Sequence, residues 1–180
     1  DIRVEMGRVE VDVELGYPAE LYKDYLQQEL SGQIVESVDG IDEVEVSVTW
    51  SVKPGPIKRG MKPVDEIKNI IAVASGKGGV GKSAVTVNMA MALARDGAMV
   101  GILDADLFGP SIPTMLGLSG KPRMLDGKRF IPHDIYGVDV MSLGFLVGED
   151  KPMLRRGDLL SAHLLQLFRE TEWAGLDYLL

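Results

Sequence analysis

The chain contains no cysteine and only two histidines. Without sulfur ligands, disulfides and thiolate metal sites are ruled out within these residues. The absence fits a reducing cytosol, so a cytoplasmic location is expected. No apolar run approaches the roughly 18 residues that a membrane-spanning helix requires. No charged-then-apolar leader opens the chain, and its first residue is aspartate rather than methionine, as expected of a fragment or a processed chain. Internal repeats and low-complexity tracts are missing as well. So is any surplus of positive charge: 19 basic against 27 acidic side chains leave a net charge of −8, which argues against a broad nucleic-acid-binding surface. Neither membrane nor nucleic acid is therefore expected as a partner.

What remains is an ordinary globular composition, 46% hydrophobic and 26% charged, in a chain long enough to bury a useful core. Its charge is uneven. Residues 1–69 hold 15 acidic and 8 basic side chains, a net of −7, whereas residues 70–180 hold 12 and 11, a net of −1. Such a change of character suggests two modules.

The first module alternates. "VEVDVEL" puts Val9, Val11, Val13 and Leu15 on one face and Glu10, Asp12 and Glu14 on the other, the pattern of a half-buried strand. Val4 and Met6 lie in the opposite phase, which predicts a tight turn or bulge at Gly7-Arg8. Pro18 opens a helical pattern in which Leu21, Tyr22, Tyr25, Leu26, Leu30 and Ile34 recur at three- and four-residue steps. A second strand follows, with Val44, Val46, Val48, Trp50 and Val52 in register. All these apolar positions read as core. The unit is a small α+β domain over 1–52. Residues 53–68, with three prolines, two glycines and clustered bases, read as a solvated linker.

After the linker the period changes. "IIAVAS" (70–75) has the look of a strand buried on both faces. A helix is expected from about Lys82 to Asp96, stopped by Gly97. Further strands are expected at "MVGILDAD", "VDVMSLGF" and "LDYLL". Between the last two, Leu160, Leu164, Leu167 and Phe168 mark a helix face, with Asp158 placed to cap it. Strands alternating with helices imply a parallel sheet with right-handed crossovers over 69–180. His133 and His163 read as structural histidines, and Met89, Met91 and Met99 as core filler. Arg155-Arg156 reads as a solvated pair, or else as a contact for an acidic partner.

One stretch carries chemistry. In "SGKGGVGKS", Gly76, Gly81, Lys82 and Ser83 satisfy G-x-x-x-x-G-K-S/T between an apolar strand and an apolar helix. Glycines let the backbone curl so that successive N–H groups face phosphate oxygens, and the helix N-terminus adds its positive end. Residues Gly76, Lys77, Gly78, Gly79, Val80, Gly81, Lys82 and Ser83 are therefore the candidate nucleotide site. Lys82 would reach the outer phosphates, and the Ser83 hydroxyl would take a Mg²⁺ position. Asp104 and Asp106 fall at the carboxyl end of a strand, where open α/β sheets bind ligands. Two acids so close favour a nearby cation. The alternative is that this acidic loop start caps a short helix at Ser111.

The extra lysine, Lys77, sits one residue past the first glycine. "KGGVGKS" resembles the deviant phosphate loop of the P-loop ATPases that include MinD, ParA, nitrogenase iron protein and the Mrp carriers. The resemblance implies that Lys77 crosses a dimer interface to the nucleotide of the facing subunit, offsetting charge that develops on the γ-phosphate. It also implies that Asp106 orients the attacking water while Asp104 supports the metal shell. Lys77, Lys82 and Asp106 are thus the catalytic candidates, and Ser83 and Asp104 the metal candidates. "GPSIPTMLG" (109–117), "SLGFLV", "RRG" and "ETEWAGLDYLL" are similar to the Mrp/ApbC-type iron–sulfur cluster carriers in particular. Residues 1–52 resemble, more loosely, the small domain that precedes many bacterial members.

The resemblance implies an ATP- and Mg²⁺-binding homodimer that carries an iron–sulfur cluster to apoproteins. The family's metal-associated aspartate and its C-x-x-C pair are expected beyond Leu180, so full hydrolysis is not expected of these residues alone. Where the family's small domain often has a cysteine after Pro-Ala, this chain has Glu20. Two other readings stay open: a ParA/MinD-like positioning ATPase, and a nucleotide-binding interaction module without catalysis.

Overall fold

The computed structural model describes residues 1–5, 7–41, 43–56, 66–106, 109–146 and 157–180, with the side chains of 157–160 excepted. The expectations for Met6, most of the linker, Arg155-Arg156 and the Asp158 and Leu160 side chains lie outside them. The fold divides into two units, Asp1–Lys53 with Arg95–Ala98, and Pro54–Ala94 with Met99–Leu180.

The first unit holds strands β1 (Ile2–Glu5) and β2 (Arg8–Leu15), helix α1 (Lys23–Ser37) and strand β3 (Glu43–Trp50). The sheet order is β1-β2-β3. Gly7, at φ +84°, makes the reversal between β1 and β2. β2 and β3 run parallel, with Val9 beside Val44, Val11 beside Val46, Val13 beside Val48 and Leu15 beside Trp50. One face is therefore apolar, and Val9, Val46 and Val48 are buried in it. The other face is charged. There Glu10 stands beside Glu45, a repulsion relieved by the Arg8 guanidinium, 2.5 Å from Glu45 and 3.4 Å from Glu10.

Helix α1 departs from the expected core. Leu26, Leu30 and Ile34 are half-buried, but Leu21 and Tyr25 are 60% and 55% exposed and Tyr22 is exposed too. The helix begins only at Lys23, so Leu21 and Tyr22 precede its first turn. Tyr25 stacks on Tyr22 at 5.3 Å between ring centroids rather than on the sheet. A repeat at three- and four-residue steps covers a wider arc than the strip a helix lays against two strands.

The second unit is built on a five-stranded sheet. In chain order come β4 (Ile67–Ile70), α2 (Lys82–Arg95), β5 (Val100–Asp104), α3 (Ile112–Met115), a hairpin of β6 (Arg123–Leu125) and β7 (Arg129–Ile131), β8 (His133–Ile135), β9 (Val138–Ser142), a 3₁₀ turn (Leu143–Phe145), α4 (Gly157–Glu170) and β10 (Leu176–Leu179). The sheet order β4-β10-β5-β9-β8 is parallel except for β8.

The interior strands carry the core: Val100, Ile102, Val138, Val140 and Met141 are almost fully buried. Packing against them is tight at Gly101, where a Cβ would stand 2.5 Å from the Leu176 side chain. At the amino ends of the strands, Asp177 is buried between the Lys68 ammonium at 2.7 Å and the Met99 backbone N–H at 2.9 Å.

Three expectations change here. The first strand lies at 67–70 rather than 70–75, and it is not covered on both faces, since Ile70 is 56% exposed. β4 is an edge of the described sheet, with β10 as its one neighbour, so its side chains are sheltered from one flank. Met99 is half-exposed rather than core, because it precedes β5 at the rim; Met89 and Met91 are half-buried along α2. His163 is exposed on α4, whereas the His133 ring packs on Phe145 at 4.4 Å. The β6–β7 hairpin and β8 are additional to the sequence reading. The β8–β9 reversal is a two-residue turn at Tyr136-Gly137, and the β6–β7 reversal a three-residue one, Asp126 to Lys128; Asp126, Gly127, Tyr136 and Gly137 all have positive φ.

Candidate nucleotide site

The glycine-rich loop lies between the extension of β4 and the start of α2. Ile71 continues the strand by donating to the Leu179 carbonyl at 2.8 Å. The loop is then set by Ser75, whose hydroxyl accepts from the Lys77 N–H at 3.1 Å and contacts the Lys77 carbonyl at 3.2 Å. Gly79 and Gly81 have φ of +71° and +93°, a region that side chains with a Cβ rarely adopt. Gly76 and Gly78 differ: their φ values are ordinary, and a Cβ on either would meet nothing within 4 Å. Nothing in the protein's own packing demands glycine there. The open space suits a ligand that approaches the backbone closely, as phosphate does.

The first turn of α2 closes on Gly81, which accepts from Val85 N–H at 2.9 Å. Its opening N–H groups have no intrahelical acceptor and carry the positive end of the helix dipole. A cavity of about 500 Å³ lies there, at the carboxyl ends of the parallel strands, where this sheet architecture takes its ligands. Lys82, Ser83, Asp104 and Asp106 all line it, although they come from α2, β5 and the loop after β5. Among the described residues no carboxylate pairs with Lys82, so its charge faces the cavity uncompensated. Gly76, Lys77, Gly78, Gly79, Val80 and Gly81 are all exposed and stand outside the lining, which takes in Ser75 before them and Lys82 and Ser83 after them.

Asp104 is 3% exposed, and both of its oxygens are engaged. Oδ1 accepts from the Asp106 N–H at 3.0 Å, and Oδ2 accepts from the Ile112 N–H at 3.3 Å, with the Ser142 hydroxyl at 3.5 Å. The Ser142 hydroxyl in turn accepts from the Gly144 N–H at 3.0 Å. Burial pushes the Asp104 carboxyl above the usual carboxylate range, against the pull of the two N–H donors. This is the helix-capping geometry that sequence reading held as an alternative. Asp104 thus holds the start of the loop after β5 to the first turn of α3.

Ser75 and Ser142 carry no signal in the sequence, and Ser111 is marked there only as the start of a short helix. The Ser111 hydroxyl donates to the Ser83 hydroxyl at 2.8 Å, across 28 positions of chain. No spacing rule finds such a pair.

A glycine loop between strand and helix, a lysine and a hydroxyl at the helix start, and acids at the end of the next strand but one in the sheet define a P-loop nucleotide-binding domain. The family whose model matches residues 66–180 is ParA, described as NUBPL iron-transfer P-loop NTPase, and the chain belongs to that family. Among curated proteins it is similar to the "Iron-sulfur cluster carrier protein" of Pseudomonas fragi, 45% identical over 147 residues, 81% of this chain and 51% of that protein. The protein of the same name from Synechocystis sp. is 39% identical over 184 residues, covering 100% of this chain and 52% of the relative. The chain thus spans about half the length of these relatives. A solved nucleotide-binding protein from Archaeoglobus fulgidus, in complex with ADP, superposes with a TM-score of 0.52 at 43% identity, over 64% of this chain and 44% of that one.

Proposed function

We propose that this chain is the nucleotide-binding part of an iron–sulfur cluster carrier: it binds ATP with Mg²⁺, pairs with a second copy, and takes part in delivering a cluster to apoproteins. The observation that carries the nucleotide reading is the cavity of about 500 Å³ faced by the unpaired Lys82 at the start of α2. Loop N–H groups and the α2 terminus would hold the phosphates, with Lys82 on the outer ones. Ser83 would hold Mg²⁺, which bridges and neutralises phosphate oxygens when bound. Asp104 would keep the loop after β5 in place, and Asp106 would orient water. Lys77 is exposed on the loop and would serve a neighbouring protomer.

The cluster is cargo. The sequence has no cysteine, and among the described residues no group of three His, Asp or Glu side chains is placed to hold a metal ion. The delivery role rests on the names of the relatives. A cytoplasmic setting suits such cargo; among the described residues no helix is long and apolar enough to cross a membrane.

The test separates the two lysines. In ATP–Mg²⁺ titrations, Lys82→Ala should lose affinity by on the order of 100-fold or more, as a charge-assisted phosphate contact disappears. Lys77→Ala should keep wild-type affinity and lose nucleotide-driven dimerisation in sedimentation experiments. Equal loss of affinity in both variants would show that Lys77 acts on its own chain's nucleotide.

A further inference from the structure

Ser111 occupies the N-cap position of α3, where a serine hydroxyl ordinarily accepts from the N–H groups of the first turn. Here it makes no such bond. The capping acceptor is Asp104, which takes the Ile112 N–H, and the Ser111 hydroxyl is left to donate to Ser83 at 2.8 Å. That length is ideal for one hydroxyl bonding another. The bond joins the first hydroxyl of α2 to the loop after β5, and both residues are half-buried.

A hydroxyl has one proton and two lone pairs. In the arrangement described, Ser83 accepts through a lone pair. A cation on Ser83 would draw on its lone pairs and polarise its O–H, making it a poor acceptor and a strong donor. Two hydroxyls 2.8 Å apart can accommodate that change by rotation alone, Ser83 becoming donor and Ser111 acceptor, with no backbone shift. We propose that Ser111 is a positioning residue for the divalent cation: it accepts the Ser83 proton and so fixes the Ser83 hydroxyl in its metal-binding orientation. Metal ligands are commonly oriented by such outer partners, whose loss weakens metal affinity about 10- to 100-fold. Ser111 is itself held by the Ile112–Asp104 bond, which makes Asp104 the anchor of this arrangement. The inference rests on the reading of Ser83 as a cation ligand given above.

The experiment titrates Mg²⁺ into the chain with a fluorescent ADP analogue bound, against a baseline of nucleotide affinity in EDTA. Ser111→Ala should leave the EDTA affinity unchanged and raise the apparent Mg²⁺ constant by about 10-fold. Ser111→Thr, which keeps the hydroxyl, should restore it. An unchanged Mg²⁺ constant in Ser111→Ala, beside a raised one in Ser83→Ala, would overturn the role of Ser111 alone. An equal loss in EDTA would overturn it too, by making Ser111 a general support of the loop. Binding indifferent to Mg²⁺ in wild type and Ser83→Ala alike would instead remove the cation reading of Ser83, and this inference with it.

Discussion

Two aspartates are buried at opposite ends of the same sheet, and they are treated differently. Asp177, 5% exposed at the amino ends of the strands, has the Lys68 ammonium beside it. Asp104, 3% exposed at the carboxyl ends, has backbone N–H groups and a serine hydroxyl but no cationic partner among the described residues. A buried carboxylate without a cation is costly, which is why the Asp104 carboxyl titrates high. The neutralised acid is the one that fastens strands together. The unneutralised one faces the cavity, together with Asp106, Ser83 and Lys82. A carboxyl raised by burial and lining a cavity is a candidate functional group.

The contrast is sharpest in stability. Asp177→Ala strands the Met99 N–H and leaves Lys68 unpaired, so thermal unfolding should show a loss of about 1–3 kcal/mol with little change in nucleotide affinity. Asp104→Asn should do the reverse. Its amide offers one acceptor where the carboxylate offered two, but it also removes a desolvated charge. The net stability change at neutral pH should stay within about 1 kcal/mol, while Mg²⁺-dependent binding weakens. An Asp177 variant that lost nucleotide binding while still folded would break the comparison.

A smaller effect follows from pH. Because burial lifts the Asp104 carboxyl, the native state holds that proton more tightly than the unfolded chain does. The stability so gained is complete below the ordinary carboxylate range and is lost as pH rises through the lifted native value. Denaturant midpoints of Asp104→Asn should therefore gain on wild type as pH increases across that window. Asp134→Asn tests a like-charge pair remote from the site. Asp134 stands directly across from Asp139, whose carboxyl is raised by burial and then by Asp134. Removing one charge should add about 0.5 kcal/mol near neutral pH, and the gain should shrink in acid.

Sequence alone carried the parts of the fold that repeat or punctuate. The alternation in β2 and β3, the apolar run of β5 and the glycine spacing before α2 each impose one local geometry. The β6–β7 reversal was legible in principle, since Asp126-Gly127 is a strong hairpin signal. Tyr136-Gly137 is not, because a tyrosine at φ +54° contradicts its own preference. The exposed Tyr25 of α1 shows that periodicity reports a face without reporting how much of it is covered. At the site, Lys82, Ser83, Asp104 and Asp106 were found because their positions are fixed relative to a strand end. Ser111 and Ser142 were not, because their partners come from other elements.

The loop preceding α2 owes its curve to the Ser75 hydroxyl and two left-handed glycines. Any residue with a Cβ at Gly79 or Gly81 would carry a conformational cost in that curve, although open space surrounds both positions.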